Sequence, residues 1–353
     1  MSLWIICLGV LGVVTFVYAI CKNFLTQSVT LMQLRDKHVL ITGGSKGIGK
    51  ALAVETAKQG AHVTIMARNR RQLEETCEEL KAIADQNAIR SGQGQMAQWL
   101  CLDVMAGADE ISSTIGKAEE ALGRPVDVLI NNAGGSTQAP IEQLSASTYE
   151  QQMRFNYLSA VHSTRAVLPS MRRRSSQCRI VFVCSQAGQV GLYGYTAYSP
   201  TKFALRGLAE ALQMELVAAS PHVRVTVAFP PNTDTEGFKH EMETMPKETR
   251  LISESSGLWK PKDVASAILT DTCQGCYQSC IGLDGWLLGV LTAGMAPETD
   301  GAAAMHQVFL MGLFRFISFF YMKYFEFILR KCQKEKEAGR RGESGRSEED
   351  EED

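Results

Sequence analysis

A doubly wound α/β fold, with one parallel sheet and helices on both of its faces, is what this sequence predicts. Three observations predict it. Between residues 38 and 230 short apolar runs alternate with helical patterns, as successive βαβ units require. A glycine-rich turn, TGGSKGIG, separates the first apolar run from the first amphipathic stretch. The 353 residues are 45% hydrophobic, enough to fill the core of one α/β unit.

The first strand is expected at residues 38–42 and the first helix at about 48–59. Backbone amides of Gly43, Ser45, Lys46, Gly47, Ile48 and Gly49 lie at this strand-to-helix turn. Glycine there lets the chain approach a pyrophosphate at the helix N-terminus. The second strand, 62–66, runs into Ala67-Arg68-Asn69-Arg70, with no acid before Glu74. An NAD site places a carboxylate near this point to hold the ribose 2′-hydroxyl, whereas Arg68 and Lys46 suit a 2′-phosphate. The expected cofactor is therefore NADP(H). The third strand ends before Asp103 and Val104, placed to contact adenine. The fourth, 126–130, runs into Asn131-Asn132-Ala133-Gly134, whose amides can fix the carboxyl edge of the sheet, where open α/β folds bind ligands.

One long helix is expected over 146–173, with Asn156 facing the sheet. The fifth strand, 179–184, delivers Ser185, and a helix follows over 197–216. Tyr198 and Lys202 are four residues apart, which puts phenol and ammonium on one helix face. A nearby cation favours phenolate and so lowers a tyrosine pKa, making Tyr198 a candidate general acid or base. The sixth strand, 224–229, breaks at Pro230-Pro231. The segment 235–260 is long enough, and placed well enough over the carboxyl edge, to act as a substrate lid.

The net charge of −2 gives no electrostatic case for a nucleic-acid partner. The ten cysteines are scattered through apolar segments and read as reduced core residues. Cys273, Cys276 and Cys280 include one CxxC without a second pair or a neighbouring histidine, so no metal site is expected. Residues 3–20 are uncharged and mostly apolar, about 27 Å as a helix. Residues 1–22 are therefore a membrane anchor or a signal-like segment. Lys22, Arg35 and Lys37 follow the apolar run, which favours a retained anchor and a cytosolic domain. Near the C-terminus, residues 307–329 are rich in Phe, Leu, Ile and Met. Arg315, Lys323, Glu326 and Arg330 fall within about 80° of one another around a helix. That stripe predicts a helix lying in a membrane interface, the alternatives being a pair of membrane spans with Arg315 snorkelling, or a core or dimerisation helix. Residues 286–332 make a membrane-associated region on this basis, and 334–353 a disordered charged tail.

Taken together, TGGSKGIG, NNAG, Asn156, Ser185 and Tyr198-x-x-x-Lys202 resemble the short-chain dehydrogenase/reductase family over about residues 36–285, with its Rossmann-type sheet. SQAGQVGLYGYTAYSPTKFALRGLAEALQME, PPNTDTEGF, KETRLISE and GMAP are more specifically similar to the branch that reduces long-chain sphingoid ketones. That branch works at the endoplasmic reticulum membrane with its site facing the cytosol. The resemblance implies that Tyr198 donates a proton to the carbonyl. Lys202 would lower its pKa and hold the nicotinamide ribose, Ser185 would hold the substrate oxygen, and Asn156 would anchor a water in the proton relay. NADPH would deliver hydride to the ketone. Pairing through the helices near Asn156 and Tyr198, common in the family, makes a homo-oligomer an expectation. Rival readings are a steroid, a retinoid or a 3-ketoacyl-CoA as substrate, or a non-catalytic binding protein. Three positions depart from common family patterns: Cys184, where many relatives carry serine, Pro231 for a glycine, and Gln72 for a lysine near the 2′-phosphate.

Overall fold

The computed structural model describes residues 3–25, 30–92 and 94–349. Helix α1 (Leu3–Leu25) precedes the sheet domain. The chain then alternates β1 (His38–Thr42), α2 (Gly47–Lys58), β2 (His62–Ala67), α3 (Arg70–Ser91), β3 (Ala97–Cys101), α4 (Ala108–Leu122) and β4 (Val128–Asn131). Helices α5 (Ala146–Met153) and α6 (Ser159–Arg173) lead to β5 (Cys178–Val183), α7 (Ser199–Ala219) and β6 (Val223–Phe229). Two short helices, α8 (Glu236–Thr244) and α9 (Lys247–Ser253), precede α10 (Pro261–Gln274) and β7 (Gln278–Cys280). Last come α11 (Gly282–Leu291) and α12 (Gly301–Glu349).

All seven strands are parallel, in the order β3-β2-β1-β4-β5-β6-β7. The order reverses between β1 and β4, and that switch point opens a crevice at the strands' carboxyl ends. Strand sequences such as HVLIT and CRIVFV are buried along their whole length and mostly apolar because both faces are covered. Within β1, Val39 and Ile41 pack under Leu52, Leu73 and Ile268 of α2, α3 and α10. Leu40, pointing the other way, joins Ile115, Val167 and Leu212 of α4, α6 and α7.

Two features depart from the expected elements. The single helix predicted over 146–173 is interrupted at Arg154–Leu158 by a π-helical turn. The charge-rich segment 334–349, expected to be disordered, continues α12 as helix. Gln333 donates to Glu337 one turn on, and Glu335 and Lys336 pair with Lys247 and Glu248 of α9. Residues 301–338 form a helix long and apolar enough to cross a membrane, by length and composition. It exposes Phe316, Phe319, Phe320, Tyr324 and Phe327, and it packs against α1, which exposes Trp4, Leu8 and Phe16. The expected charged stripe divides. Arg315 faces the cavity described below, while Lys323 and Arg330 both pair with Glu326 in solvent.

Candidate active site

The glycine turn forms the first part of the site. Gly47, the first residue of α2, has φ +57°, a left-handed conformation that side-chain-bearing residues adopt only with strain. A Cβ on Gly49 would lie 2.1 Å from the Gly43 carbonyl oxygen, so the turn closes this tightly only with glycine there. Asn132 braces the turn from β4, its side-chain amide donating to the carbonyls of Thr42 (3.0 Å) and Gly43 (3.2 Å). Gly43, Ser45, Lys46, Gly47, Ile48 and Gly49 all line a cavity of about 950 Å³. An uncluttered backbone at a helix N-terminus fits a dinucleotide pyrophosphate.

The adenosine end lies past β2. Arg68 lines the cavity with its guanidinium 5.6 Å from the Phe155 ring centroid and 3.8 Å from Asp103. Asn69 and Gln72 line it beside Arg68, as do Leu102 and Val104. The carboxylates lining this cavity are Glu241 and Asp284, and neither lies at the end of β2. Asp103 stands back from the cavity wall, where it pairs with Arg68 and accepts the Met105 amide hydrogen at 2.9 Å.

Asn131 also differs from expectation. β4 extends one residue further than predicted, and successive side chains on a strand point oppositely. Asn131 is therefore buried toward α6, donating to Thr164 Oγ1 at 3.1 Å, and its neighbour Asn132 takes the place at the cavity.

Ser185 stands two residues past the end of β5, its Oγ accepting from the Ala187 amide at 3.1 Å, and it lines the cavity together with Tyr198. Tyr198 caps α7 at its N-terminus, half-buried in the cavity wall, and Tyr195 meets it edge-on at 5.5 Å. Lys202 is 3% exposed. Its Nζ donates to the Val183 carbonyl at 3.2 Å and lies 5.6 Å from the Tyr198 ring centroid. Burial holds the Lys202 pKa below that of an ordinary lysine. The Tyr198 phenol is pushed well above the usual tyrosine range, by burial first and then by the charge of Glu241. Burial of the phenol outweighs the depression expected from Lys202. The ammonium lies toward the ring and bonds the Val183 carbonyl, while the Glu241 carboxylate approaches from α8.

Asn156 does not line the cavity. It sits in the π-helical turn, a backbone irregularity often found at functional sites, and clamps Gly135 by accepting its N–H and donating to its carbonyl, both at 3.0 Å. A Cβ on Gly134 would meet Asn156 Oδ1 at 2.7 Å and Lys202 Nζ at 3.3 Å, so Asn156 reaches the site through the glycine loop packed on Lys202.

Three residues of the site escape sequence reasoning. Glu241 of α8 accepts from the Ser136 amide at 3.4 Å and the Gln138 side chain at 3.3 Å. Tyr195 adjoins the same Gln138. Gln138 itself is buried between them. A glutamate within a nine-residue amphipathic helix carries no sequence signal, since only tertiary packing turns it inward. Beyond Tyr198 the cavity continues between Gly237, Phe238 and Ile252 on the α8–α9 segment and Phe314, Arg315 and Tyr321 on α12, with Leu287, Leu288 and Leu291 of α11 closing one side.

Comparison with known proteins agrees with this geometry. The profile of the family described as short chain dehydrogenase matches residues 37–246. A 3-ketodihydrosphingosine reductase of Bos taurus is 47% identical over 309 residues, covering 86% of this chain and 89% of that protein. One from Mus musculus is 45% identical over 329 residues, covering 93% and 96%. A 3-dehydrosphinganine reductase of Danio rerio is 44% identical over 306 residues, covering 87% and 89%. With a parallel sheet, a glycine cradle at its switch point and a serine, tyrosine and lysine gathered beside it, the chain belongs to the short-chain dehydrogenase family of nicotinamide-dependent oxidoreductases.

Proposed function

We propose that this chain reduces 3-ketodihydrosphingosine to dihydrosphingosine, using NADPH, at the cytosolic face of the endoplasmic reticulum membrane. The observation that carries the proposal is the single cavity joining the glycine cradle, Tyr198 and the aromatic face of α12. Its volume, about 950 Å³, lies at the upper end for small-molecule sites and leaves room for an extended apolar chain beside a dinucleotide. The relatives named above supply the substrate. Residues 36–285 act as the catalytic domain, 235–260 as its lid, and 1–22 with 286–332 as the membrane-associated parts. A bilayer-resident ketone would enter between α8–α9 and α12.

Bound NADPH supplies the hydride to the ketone carbon. Lys46 and the amides of Gly47–Gly49 would hold its pyrophosphate, and Arg68 with Asn69 would hold the 2′-phosphate. Ser185 and Tyr198 donate hydrogen bonds to the substrate oxygen, stabilising the charge that develops there. Tyr198 then gives up its proton: the phenol O–H breaks as the product O–H forms. A raised phenol pKa keeps Tyr198 protonated at neutral pH, the form a reduction needs. Lys202 stabilises the resulting phenolate, and Asn156 keeps the Gly134–Gly135 loop seated against Lys202.

The test is NADPH oxidation by the purified protein in mixed micelles, offered 3-ketodihydrosphingosine or a steroid ketone, with NADH as the alternative reductant. Turnover of the sphingoid ketone with NADPH is expected to exceed the other combinations. Preference for the steroid, or for NADH, would contradict the proposal.

A further inference from the structure

Hydride transfer and proton donation leave Glu241 without a role. It lines the cavity beside Tyr195 and acts electrostatically on both Tyr198 and Lys202. Its oxygens accept long hydrogen bonds, 3.4 Å from the Ser136 amide and 3.3 Å from the Gln138 side chain. Among the described residues no lysine or arginine approaches it within 4.0 Å. Lys202, the cation it feels, directs its Nζ to the Val183 carbonyl instead.

For a neutral ketone this placement works against the reaction. Reduction builds negative charge on the substrate oxygen next to Tyr198, and a half-buried carboxylate nearby opposes that charge. A cation between the two anions removes the conflict. The 2-amino group of a sphingoid ketone is such a cation, carried on the carbon bonded to the carbonyl. We infer that Glu241, held by Ser136 and Gln138, is the recognition site for the ammonium group of the substrate, an inference that rests on the amino-ketone function proposed above. The side chain would select 2-amino ketones over neutral ketones of equal length by completing a charge-assisted hydrogen bond. Gln138, which also donates to the hydroxyl of Tyr195 at 3.5 Å, ties the carboxylate to the residue that packs edge-on against Tyr198.

The test compares the wild-type protein with Glu241→Gln on two substrates, the long-chain 2-amino-1-hydroxy-3-ketone and its N-acetyl derivative, which has the same chain and no charge. NADPH binding, followed by fluorescence, confirms that each variant is folded. The wild type is expected to favour the amine at least tenfold in kcat/KM. Glu241→Gln should lose that preference, mostly through a KM for the amine raised roughly 10–100-fold, the scale of a charge-assisted pair. Glu241→Asp should recover part of it. A preference that survives in Glu241→Gln overturns the inference. So does an equal fall on both substrates, which would place Glu241 in proton supply or in folding. A wild type that reduces both ketones without preference also overturns it while leaving the reductase function intact. A wild type that reduces neither removes the amino-ketone function and the inference together.

Discussion

Replacing Arg68 by glutamine should change which cofactor the protein uses, by an amount the structure sets. A guanidinium hydrogen-bonded to a phosphate contributes about 1.5–3 kcal/mol. Here the lower part of that range applies, because Arg68 is 59% exposed and already lies 3.8 Å from Asp103, which offsets part of its charge. About 2 kcal/mol corresponds to a roughly 30-fold rise in the KM for NADPH. The KM for NADH, which lacks the phosphate, should move by less than about threefold. Initial rates against each cofactor, with the ketone saturating, provide the assay. Raising the salt concentration supplies an internal check, since screening should weaken NADPH binding in the wild type more than in the variant. Equal rises for NADPH and NADH would show that Arg68 holds the adenosine generally, and an unchanged KM for NADPH would remove the 2′-phosphate role altogether.

Gly49→Ala should abolish measurable cofactor binding by calorimetry while leaving a folded protein, because the new methyl would press on the Gly43 carbonyl 2.1 Å away and open the cradle; retained binding would refute the fit. Lys336→Met should lower unfolding stability by about 1–2 kcal/mol, since it strips the partner from Glu248, 4% exposed, although Lys336 itself is half in solvent. Lys247→Met, which removes an exposed pair with Glu335, should leave the midpoint of the same denaturant titration unchanged. For pH, the Tyr198 proton is present below a raised pKa and lost as pH rises through it, so kcat/KM for reduction should stay level through neutral pH and fall only above the ordinary tyrosine range. A fall beginning near pH 8 would show that Tyr198 is not held protonated as described.

Much of the fold was legible because local sequence and long-range packing agree. The apolar run His38–Thr42 is a buried strand by composition, and the glycines after it allow one compact turn. The site was less legible wherever direction or tertiary approach decides. Asn131 and Asn132 are chemically identical neighbours, and one residue of strand length determines which faces the cavity. Asn156 lies toward the sheet as its apolar neighbours suggested, but the π-helical turn that aims it at Gly135 leaves no mark in the sequence. The electrostatics of Tyr198 follow from its burial first and then from Glu241, which is 43 residues away in the chain and approaches through the packing of α8. Composition placed a disordered tail at 334–353, whereas helix α12 runs to Glu349, with Lys336 bonded to Glu248 of α9; residues 350–353 lie outside the described residues.

The most direct measurement is transfer of deuterium from the reduced position of NADPH to the long-chain amino ketone, read by mass spectrometry of the product for the wild type and for Tyr198→Phe. The wild type should place the label on the carbinol carbon of dihydrosphingosine, and Tyr198→Phe, folded and able to bind NADPH, should lose most of that turnover. Unlabelled product, or full turnover in Tyr198→Phe, would contradict a direct reduction in which Tyr198 delivers the proton.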